Sequence, residues 1–324
     1  MKLKIAGTLA VCLVLLAGCG RTSEAPAEAE PAADTGQENA LIDLWEQDEI
    51  AFGILVPNEA PPPPPGEGRG RGRGPRPPAV YTTQGGEALA RSPLYDFVFL
   101  NLEGRYDAGA ISAISEGLRS PRTVSRKTLL VRIPPISNPD AGAEVTRARV
   151  KEALDLGADG VVLPHVRNIE EVQLAVSFFA EAGADVWSPS NPDGEVLAML
   201  MLEDPTAVAD AAAIADLGGY SALSCGCGSL GGAIRRELMG DADPASISDE
   251  EREAIGAEAR AEAEEGNQKV LREARRAGLA NMTVASLDDI EQRVGEGFSA
   301  FVMLRPASDA DPIIELGRAT AGRQ

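Results

Sequence analysis

Cysteine and positive charge are both scarce in this sequence of 324 residues. It contains four cysteines, and because Cys12 and Cys19 lie near the start, only Cys225 and Cys227 remain in the body of the chain. Two cysteines cannot build the disulfide framework of a small secreted scaffold. The 50 acidic side chains outnumber the 30 lysines and arginines, which gives a formal net charge of −20. This balance argues against nucleic acid as a partner and favours small solutes.

The one continuous apolar run near the start is too short to span a bilayer. Two lysines precede the apolar residues 5–16, and the sequence Leu-Ala-Gly-Cys then ends at Cys19. This order is typical of a secretory signal, and its last four residues match the bacterial lipobox. We therefore expect removal of residues 1–18 and lipidation of Cys19, which would anchor the chain to a membrane of the cell envelope, outside the cytoplasm. Gly20 in place of Asp favours the outer membrane, facing the periplasm, in a Gram-negative cell. The alternative is an ordinary signal peptide with an accidental cysteine.

Two segments have compositions that do not favour a packed core. Residues 19–41 are rich in Ala, Glu, Pro and Thr, which predicts a disordered tether. Residues 58–80 join five consecutive prolines to a repeated Arg-Gly sequence, which predicts a solvated, low-complexity insertion. Contact with an anionic surface or nucleic acid is the alternative for this insertion, but it has no aromatic side chain to stack on bases.

Short apolar runs alternate with helical stretches over residues 42–308, which predicts an α/β domain. Continuous apolar runs suit parallel strands that are covered on both faces. Eight such runs predict a (β/α)8 TIM barrel with the insertion after its first strand, followed by a C-terminal tail over residues 309–324. The predicted strands are 51–56, 97–103, 128–133, 160–163, 196–203, 220–225, 281–284 and 300–304. The predicted helices include 147–156, 169–182, 206–215 and an acidic helix over 246–265 that Ser248 would cap.

Functional residues of such a barrel lie at the carboxyl ends of its strands and in the loops that follow. In this chain those positions are 103–105, Arg132, 164–165, Glu203 and 226–230. They are therefore the positions where we expect a catalytic or binding site.

Several of these segments resemble the HpcH/HpaI aldolase/citrate lyase family. They are YDFVFLNLEG at 95–104, LVRIP at 130–134, ALDLGADGVVLP at 153–164, and the pattern Gly-Phe-x-Ala-Phe-Val at 297–302. The elements keep the family's order across residues 42–305. The resemblance implies a TIM barrel and a carbon–carbon lyase that cleaves or forms an aldol bond beside pyruvate or another 2-oxo acid.

The resemblance also implies a divalent cation, Mg, Mn or Co, that binds the 2-oxo acid and stabilises its enolate. Glu203 occupies the position of the first carboxylate ligand. The second ligand, an aspartate in the family, is replaced by Ser229, and because a neutral hydroxyl compensates less charge we expect weakened metal binding. Arg132 matches the arginine that stabilises the enolate, and Gly226 and Gly228, with Ser229, are expected to bind substrate.

The family's proton-transfer position is altered in this chain. A histidine follows the glutamate at the end of the second strand in the aldolases, and here Glu103 is followed by Gly104. His165, the chain's single histidine, has two interpretations: a replacement base, or a rim side chain without a role in proton transfer. Asp155 matches a catalytic acid near the family's subunit interface. Members commonly assemble as trimers or hexamers, so a homo-oligomer is expected.

Cys225 and Cys227 also have two interpretations. They would suit a soft cation such as Zn or Cu(I), with Glu203 as a third ligand, or Cys225 is simply a buried strand residue. A disulfide between them would close a tight ring that extended strand geometry strains.

The sequence as a whole leaves three functions open. They are a divergent lyase with an incomplete active site, a non-catalytic lipid-anchored protein that binds a small carboxylate, and an envelope scaffold.

Overall fold

A computed structural model describes residues 39–61, 78–136, 142–241 and 246–323. The expected signal peptide, Cys19, most of the tether and most of the Pro/Arg-Gly insertion lie outside these ranges. Within the described ranges, no helix is both long enough and apolar enough to cross a membrane.

Eight parallel strands make one sheet that closes into a barrel. The strands are β1 (Ala51–Leu55), β2 (Phe97–Asn101), β3 (Thr128–Arg132), β4 (Gly160–Leu163), β5 (Leu197–Leu202), β6 (Ala222–Cys225), β7 (Met282–Thr283) and β8 (Ala300–Met303). Their order in the sheet is β6-β5-β4-β3-β2-β1-β8-β7. A parallel bridge between Ala222 and Ala280 joins the two remaining edges. The predicted (β/α)8 TIM barrel and its eight strands are confirmed, with small differences at the strand ends.

Helices cover the outside of the barrel and connect successive strands. They are α1 (Ala40–Glu46), α2 (Thr83–Ala90), α3 (Ala108–Leu118), α4 (Gly142–Asp155), α5 (Ile169–Glu181), α6 (Pro205–Ala209), α7 (Ala211–Ala215), α8 (Cys227–Met239), α9 (Asp249–Arg276), α10 (Ile290–Glu296) and α11 (Ala307–Thr320). The helix predicted over 206–215 is divided at Asp210. Ser248 caps α9 as predicted, because its side chain accepts a hydrogen bond from the backbone of Glu251.

Alternate residues of the strands fill the interior of the barrel. Phe97 and Phe99 of β2 belong to the inner core, whereas Val98 packs in the outer core between the sheet and the helices. Gly53 makes room for this arrangement, because a Cβ atom there would lie 2.6 Å from the ring of Phe97. Since side chains alternate along a strand, residue 103 continues the inward face of β2.

Helix α1 closes the amino-terminal end of the barrel. Leu41 and Ile42 are fully buried against the inward-facing strand residues. Asn39 caps the helix, and its side-chain amide donates to the carbonyls of Asp159 and Glu195 at 3.1 and 3.2 Å. The tether predicted up to residue 41 therefore extends too far: residues 39–41 are structured because two apolar side chains enter the core.

The barrel also continues past residue 308, where the sequence suggested a tail. Helix α11 buries Ile314 fully and leaves Ile313 only 4% exposed. The buried carboxylate of Asp96 accepts hydrogen bonds from Arg318 at 3.1 Å and from Arg323 at 2.8 and 3.1 Å. Helix α11 thus packs with the barrel, because its apolar face completes the outer layer.

Candidate active site

Three charged side chains meet at the carboxyl ends of three strands. Arg132 is the last residue of β3, Glu203 follows β5 directly, and Glu103 lies two residues after β2. Each continues the inward-facing alternation of its strand, which brings them to the mouth of the barrel. The side chain of Asn101 accepts a hydrogen bond from the backbone of Glu103 at 3.1 Å and turns the chain there.

Arg132 bridges the two glutamates. Its Nη2 atom donates to both carboxylate oxygens of Glu203 at 3.1 Å and lies 2.9 Å from Oε2 of Glu103. The Glu203 side chain is only 1% exposed, so its charge depends on this partner. The Nε atom of Arg132 is buried, and no acceptor in the described part of the chain reaches it. The guanidinium therefore carries one buried N–H donor that its surroundings leave unsatisfied.

His165 completes the cluster from the loop after β4. Its imidazole Nε2 lies 2.8 Å from Oε1 of Glu103, and its Nδ1 lies 3.3 Å from Oε2 of Glu203. Its backbone N–H also donates to Glu203 at 3.0 Å. His165 has a φ of +53°, a left-handed conformation that is uncommon for residues other than glycine. Strained backbone of this kind is concentrated at functional sites.

These contacts shift two pKa values in opposite directions. Burial by itself would raise the pKa of Glu103, but the hydrogen bond with His165 and the charge of Arg132 outweigh it and lower that pKa. The hydrogen bond with Glu103 raises the pKa of His165 against the effect of burial, and the charge of Glu203 adds to the rise. The pair is thus stabilised as a carboxylate beside an imidazolium.

The start of α8 forms the wall next to Glu203. Gly226 precedes the helix, and a Cβ atom at this position would lie 2.1 Å from Oε1 of Glu203, so only glycine fits. No side chain in the described ranges caps α8, so its first backbone N–H groups remain available to an anion. A cleft of about 410 Å³ opens here, lined by residues that include His165, Glu203, Gly228 and Ser229.

The described residues contain one group of three side chains that could hold a metal ion: Glu103, His165 and Glu203. One ligand atom from each lies within 4.8 Å of the other two. Two carboxylates and an imidazole suit a divalent cation with mixed oxygen and nitrogen preference. Ser229 lines the same cleft, where the resemblance placed the second ligand. The two cysteines do not join this group, so the geometry gives no support to a soft-metal site built from both thiols and Glu203.

Asp155 is the predicted site residue that the fold places elsewhere. It ends α4, which runs back from the carboxyl to the amino ends of the strands, so it lies at the opposite end of the barrel. Its side chain is 62% exposed and pairs with Lys151 at 2.7 Å. Asp155 therefore does not contact the cluster within one chain, and its proposed role at a subunit interface stays a prediction.

The sequence profile of the HpcH/HpaI aldolase/citrate lyase family matches residues 90–301. The chain belongs to this family. The match covers the HpcH/HpaI barrel from the end of α2 into β8, including every residue of the cluster described above. A comparison with curated proteins gives no significant match.

Solved structures support the same fold. An HpcH/HpaI aldolase from Desulfitobacterium hafniense shares 18% identity with a TM-score of 0.54, covering 87% of this chain and 96% of its own. An HpcH/HpaI aldolase/citrate lyase family protein from Burkholderia cenocepacia shares 19% identity with a TM-score of 0.55, covering 88% and 97%. The citrate synthase SbnG shares 16% identity with a TM-score of 0.56, covering 87% and 97%. At these identities the likeness establishes the barrel and not the reaction.

The sequence placed 103–105, Arg132 and Glu203 among the strand-end positions where a site is expected. It assigned no role to Glu103 itself, because Gly104 follows it where the family has a histidine. The signal that could have identified it is its position at the end of β2, on the same inward face as Phe97 and Phe99.

Proposed function

We propose that this cleft catalyses metal-dependent cleavage or formation of a carbon–carbon bond beside a 2-oxo acid such as pyruvate. The observation that carries the proposal is the convergence of Arg132, Glu203, Glu103 and His165 at the mouth of an HpcH/HpaI barrel. The altered family positions argue for a divergent member of this reaction class.

A divalent cation fits the donors that are present. The carboxylates of Glu103 and Glu203 would hold it, because hard cations prefer oxygen ligands and Glu203 is deeply buried at the site. Such a cation supplies Lewis-acid stabilisation of the negative charge that develops on the 2-oxo acid. The Ser229 hydroxyl adds no charge of its own, so we expect weaker cation binding than an aspartate would give.

Arg132 and His165 take the remaining roles. We assign the positive charge of the Arg132 guanidinium, which lies between Glu103 and Glu203, to stabilising the negative charge that grows on the enolate oxygen. We assign proton transfer at the enolate carbon to His165, whose pKa is raised by its hydrogen bond with Glu103. Both of its ring nitrogens already face carboxylates, at 2.8 Å from Glu103 and 3.3 Å from Glu203, so we do not count it among the cation ligands.

Substrate carboxylates are bound by the wall of α8 and by the rim. The uncapped N–H groups at the start of α8 favour an anion, and the cleft is also lined by the cationic side chains of Arg167 and Arg236. Gly228 leaves the wall open, since no atom lies within 4 Å of a Cβ built on it.

The test is exchange of the methyl protons of pyruvate for deuterium, which requires enolate formation and no knowledge of the second substrate. The full-length protein is incubated with pyruvate in D2O with Mg²⁺ or with a chelator, and mass spectrometry measures deuterium uptake. We expect cation-dependent exchange that falls about 100-fold or more in Glu203→Gln and in Arg132→Met. Glu144→Gln is the control, because that side chain is 82% exposed on α4. Exchange that is equal in Glu203→Gln and wild type would refute the proposal.

The same α8 wall and cationic rim favour one alternative, a non-catalytic protein that binds a small carboxylate. It predicts saturable binding of pyruvate or oxalate in calorimetry without deuterium exchange.

We further propose that the chain is a lipoprotein of the cell envelope, anchored through Cys19, on the basis of the lipobox sequence.

A further inference from the structure

Two free thiols lie side by side at the junction of β6 and α8. Cys225 ends β6 and is 4% exposed, and Cys227 begins α8 and is partly buried. Their Sγ atoms are 3.7 Å apart. The only residue between them is Gly226, which packs against Glu203.

The backbone between the thiols turns at Gly226, directly after the strand that the sequence predicted to end at Cys225. Gly226 has φ −89° and ψ 75°, close to an inverse γ-turn, and Cys227 already belongs to a helix. A turn of this kind folds the two flanking residues toward each other, whereas an extended strand would hold them on one face about 6.6 Å apart. The sulfur atoms are already in contact at 3.7 Å, and the side chains must approach further to reach the S–S bond length of about 2.05 Å.

We propose that Cys225 and Cys227 are a redox-active dithiol that forms an internal disulfide by exchange with a small-molecule disulfide. The Cys227 sulfur, which is the more accessible, attacks the disulfide as a thiolate, forms a mixed disulfide and releases one thiol. The Cys225 sulfur then loses its proton and attacks the Cys227 sulfur, which releases the second thiol. The protein loses two protons and two electrons, and one molecule of disulfide becomes two thiols.

This proposal does not depend on the proposed lyase activity, because it rests only on the positions of the two sulfur atoms. Its location still connects it to the cleft. The backbone of Gly226 donates to the carbonyl of Leu202 at 3.0 Å, and Leu202 directly precedes Glu203. Any rotation at Gly226 on disulfide closure therefore acts on the strand that carries Glu203.

The experiment equilibrates the full-length protein in buffers of reduced and oxidised glutathione, first folded and then in denaturant. After acid quenching, free thiols are alkylated and the tryptic peptide of residues 168–235 is analysed by mass spectrometry. It contains Cys225 and Cys227, no other cysteine, and no internal lysine or arginine before Arg235. Cys12 and Cys19 therefore do not affect the result.

We expect the folded protein to form the internal disulfide with an equilibrium constant at least about tenfold above that of the unfolded chain, because the fold holds both sulfurs in contact. Cys225→Ala, which keeps a small buried side chain, should yield only a mixed disulfide of Cys227 with glutathione. A folded wild-type protein that keeps both thiols, that carries glutathione without closing the ring, or that closes it no more readily than the unfolded chain overturns the proposal.

Discussion

Replacing Gly226 by alanine should damage the Glu203 cluster while leaving the barrel intact. A Cβ atom at Gly226 would lie 2.1 Å from Oε1, 2.4 Å from Cγ and 2.5 Å from Cδ of Glu203. Relief of these contacts requires a shift of about 1 Å or more, since non-bonded heavy atoms pack at about 3.5 Å. The carboxylate cannot retreat freely, because Arg132 and the backbone N–H of His165 hold it at 3.0 to 3.1 Å.

The magnitude follows from these contacts. Overpacking costs about 1 to 3 kcal/mol, and separation of the buried Glu203 from Arg132 would add to it, so we expect a loss of about 3 kcal/mol in the free energy of unfolding. Cation binding should weaken about 100-fold or more, because the displaced carboxylate is the most buried oxygen ligand.

Gly228→Ala is the matched control. It lies in the first turn of α8, two residues after Gly226, and no atom is within 4 Å of its Cβ position, so alanine should be neutral or stabilise α8 by about 0.5 to 1 kcal/mol. Urea unfolding and Mn²⁺ titration calorimetry of both variants measure the two effects. Equal stability and equal Mn²⁺ affinity in Gly226→Ala and Gly228→Ala would show that Glu203 is not held as described.

Three further predictions concern other parts of the chain. A chain ending at Ser308 exposes the core residues that α11 covers and leaves Asp96 without Arg323, so it should lose cooperative unfolding in circular dichroism. A cooperative transition like that of the full chain would support the tail interpretation. Burial lowers the pKa of Lys127 to about 8, below its unfolded value of about 10.4. Between these two pKa values the unfolded state binds more protons than the folded state, so the free energy of unfolding should rise with pH by about 3 kcal/mol. Urea titrations at pH 7 and 10 measure this rise, which Lys127→Met should abolish. If Cys19 is lipidated, the wild-type protein should partition into detergent and Cys19→Ser should remain aqueous, whereas identical partitioning would contradict the anchor.

The strands could be predicted from the sequence because each is a local apolar run. Arg132 and Glu203 come at the ends of two such runs, and side chains alternate along a strand, so the mouth of the barrel was the position expected for them. The positions of the strands could therefore be predicted from short stretches of sequence, and the resemblance to the family predicted the order of the elements along the chain.

Contacts between distant elements could not be predicted in the same way. The hydrogen bond of His165 with Glu103 joins the loops after β4 and β2, and it depends on a left-handed backbone conformation at a histidine, which no sequence pattern indicated. Asp155 was assigned from the family pattern alone, and only the direction of α4 shows that it lies at the other end of the barrel. The tether was drawn to residue 41, which takes in the first two residues of α1, because they follow a long polar segment.

The two ends of the described chain both lie at the amino-terminal end of the barrel, away from the cleft. Asn39 contacts the carbonyls of Asp159 and Glu195 just before β4 and β5, and Arg323 reaches the carbonyl of Ile50 just before β1. A label, an immobilising tag or a fused domain can therefore be joined before Asn39 or after Arg323 without covering the mouth. The same geometry makes the barrel suited to circular permutation, since a linker across its amino-terminal end could connect the two ends and new termini could be opened in an exposed loop.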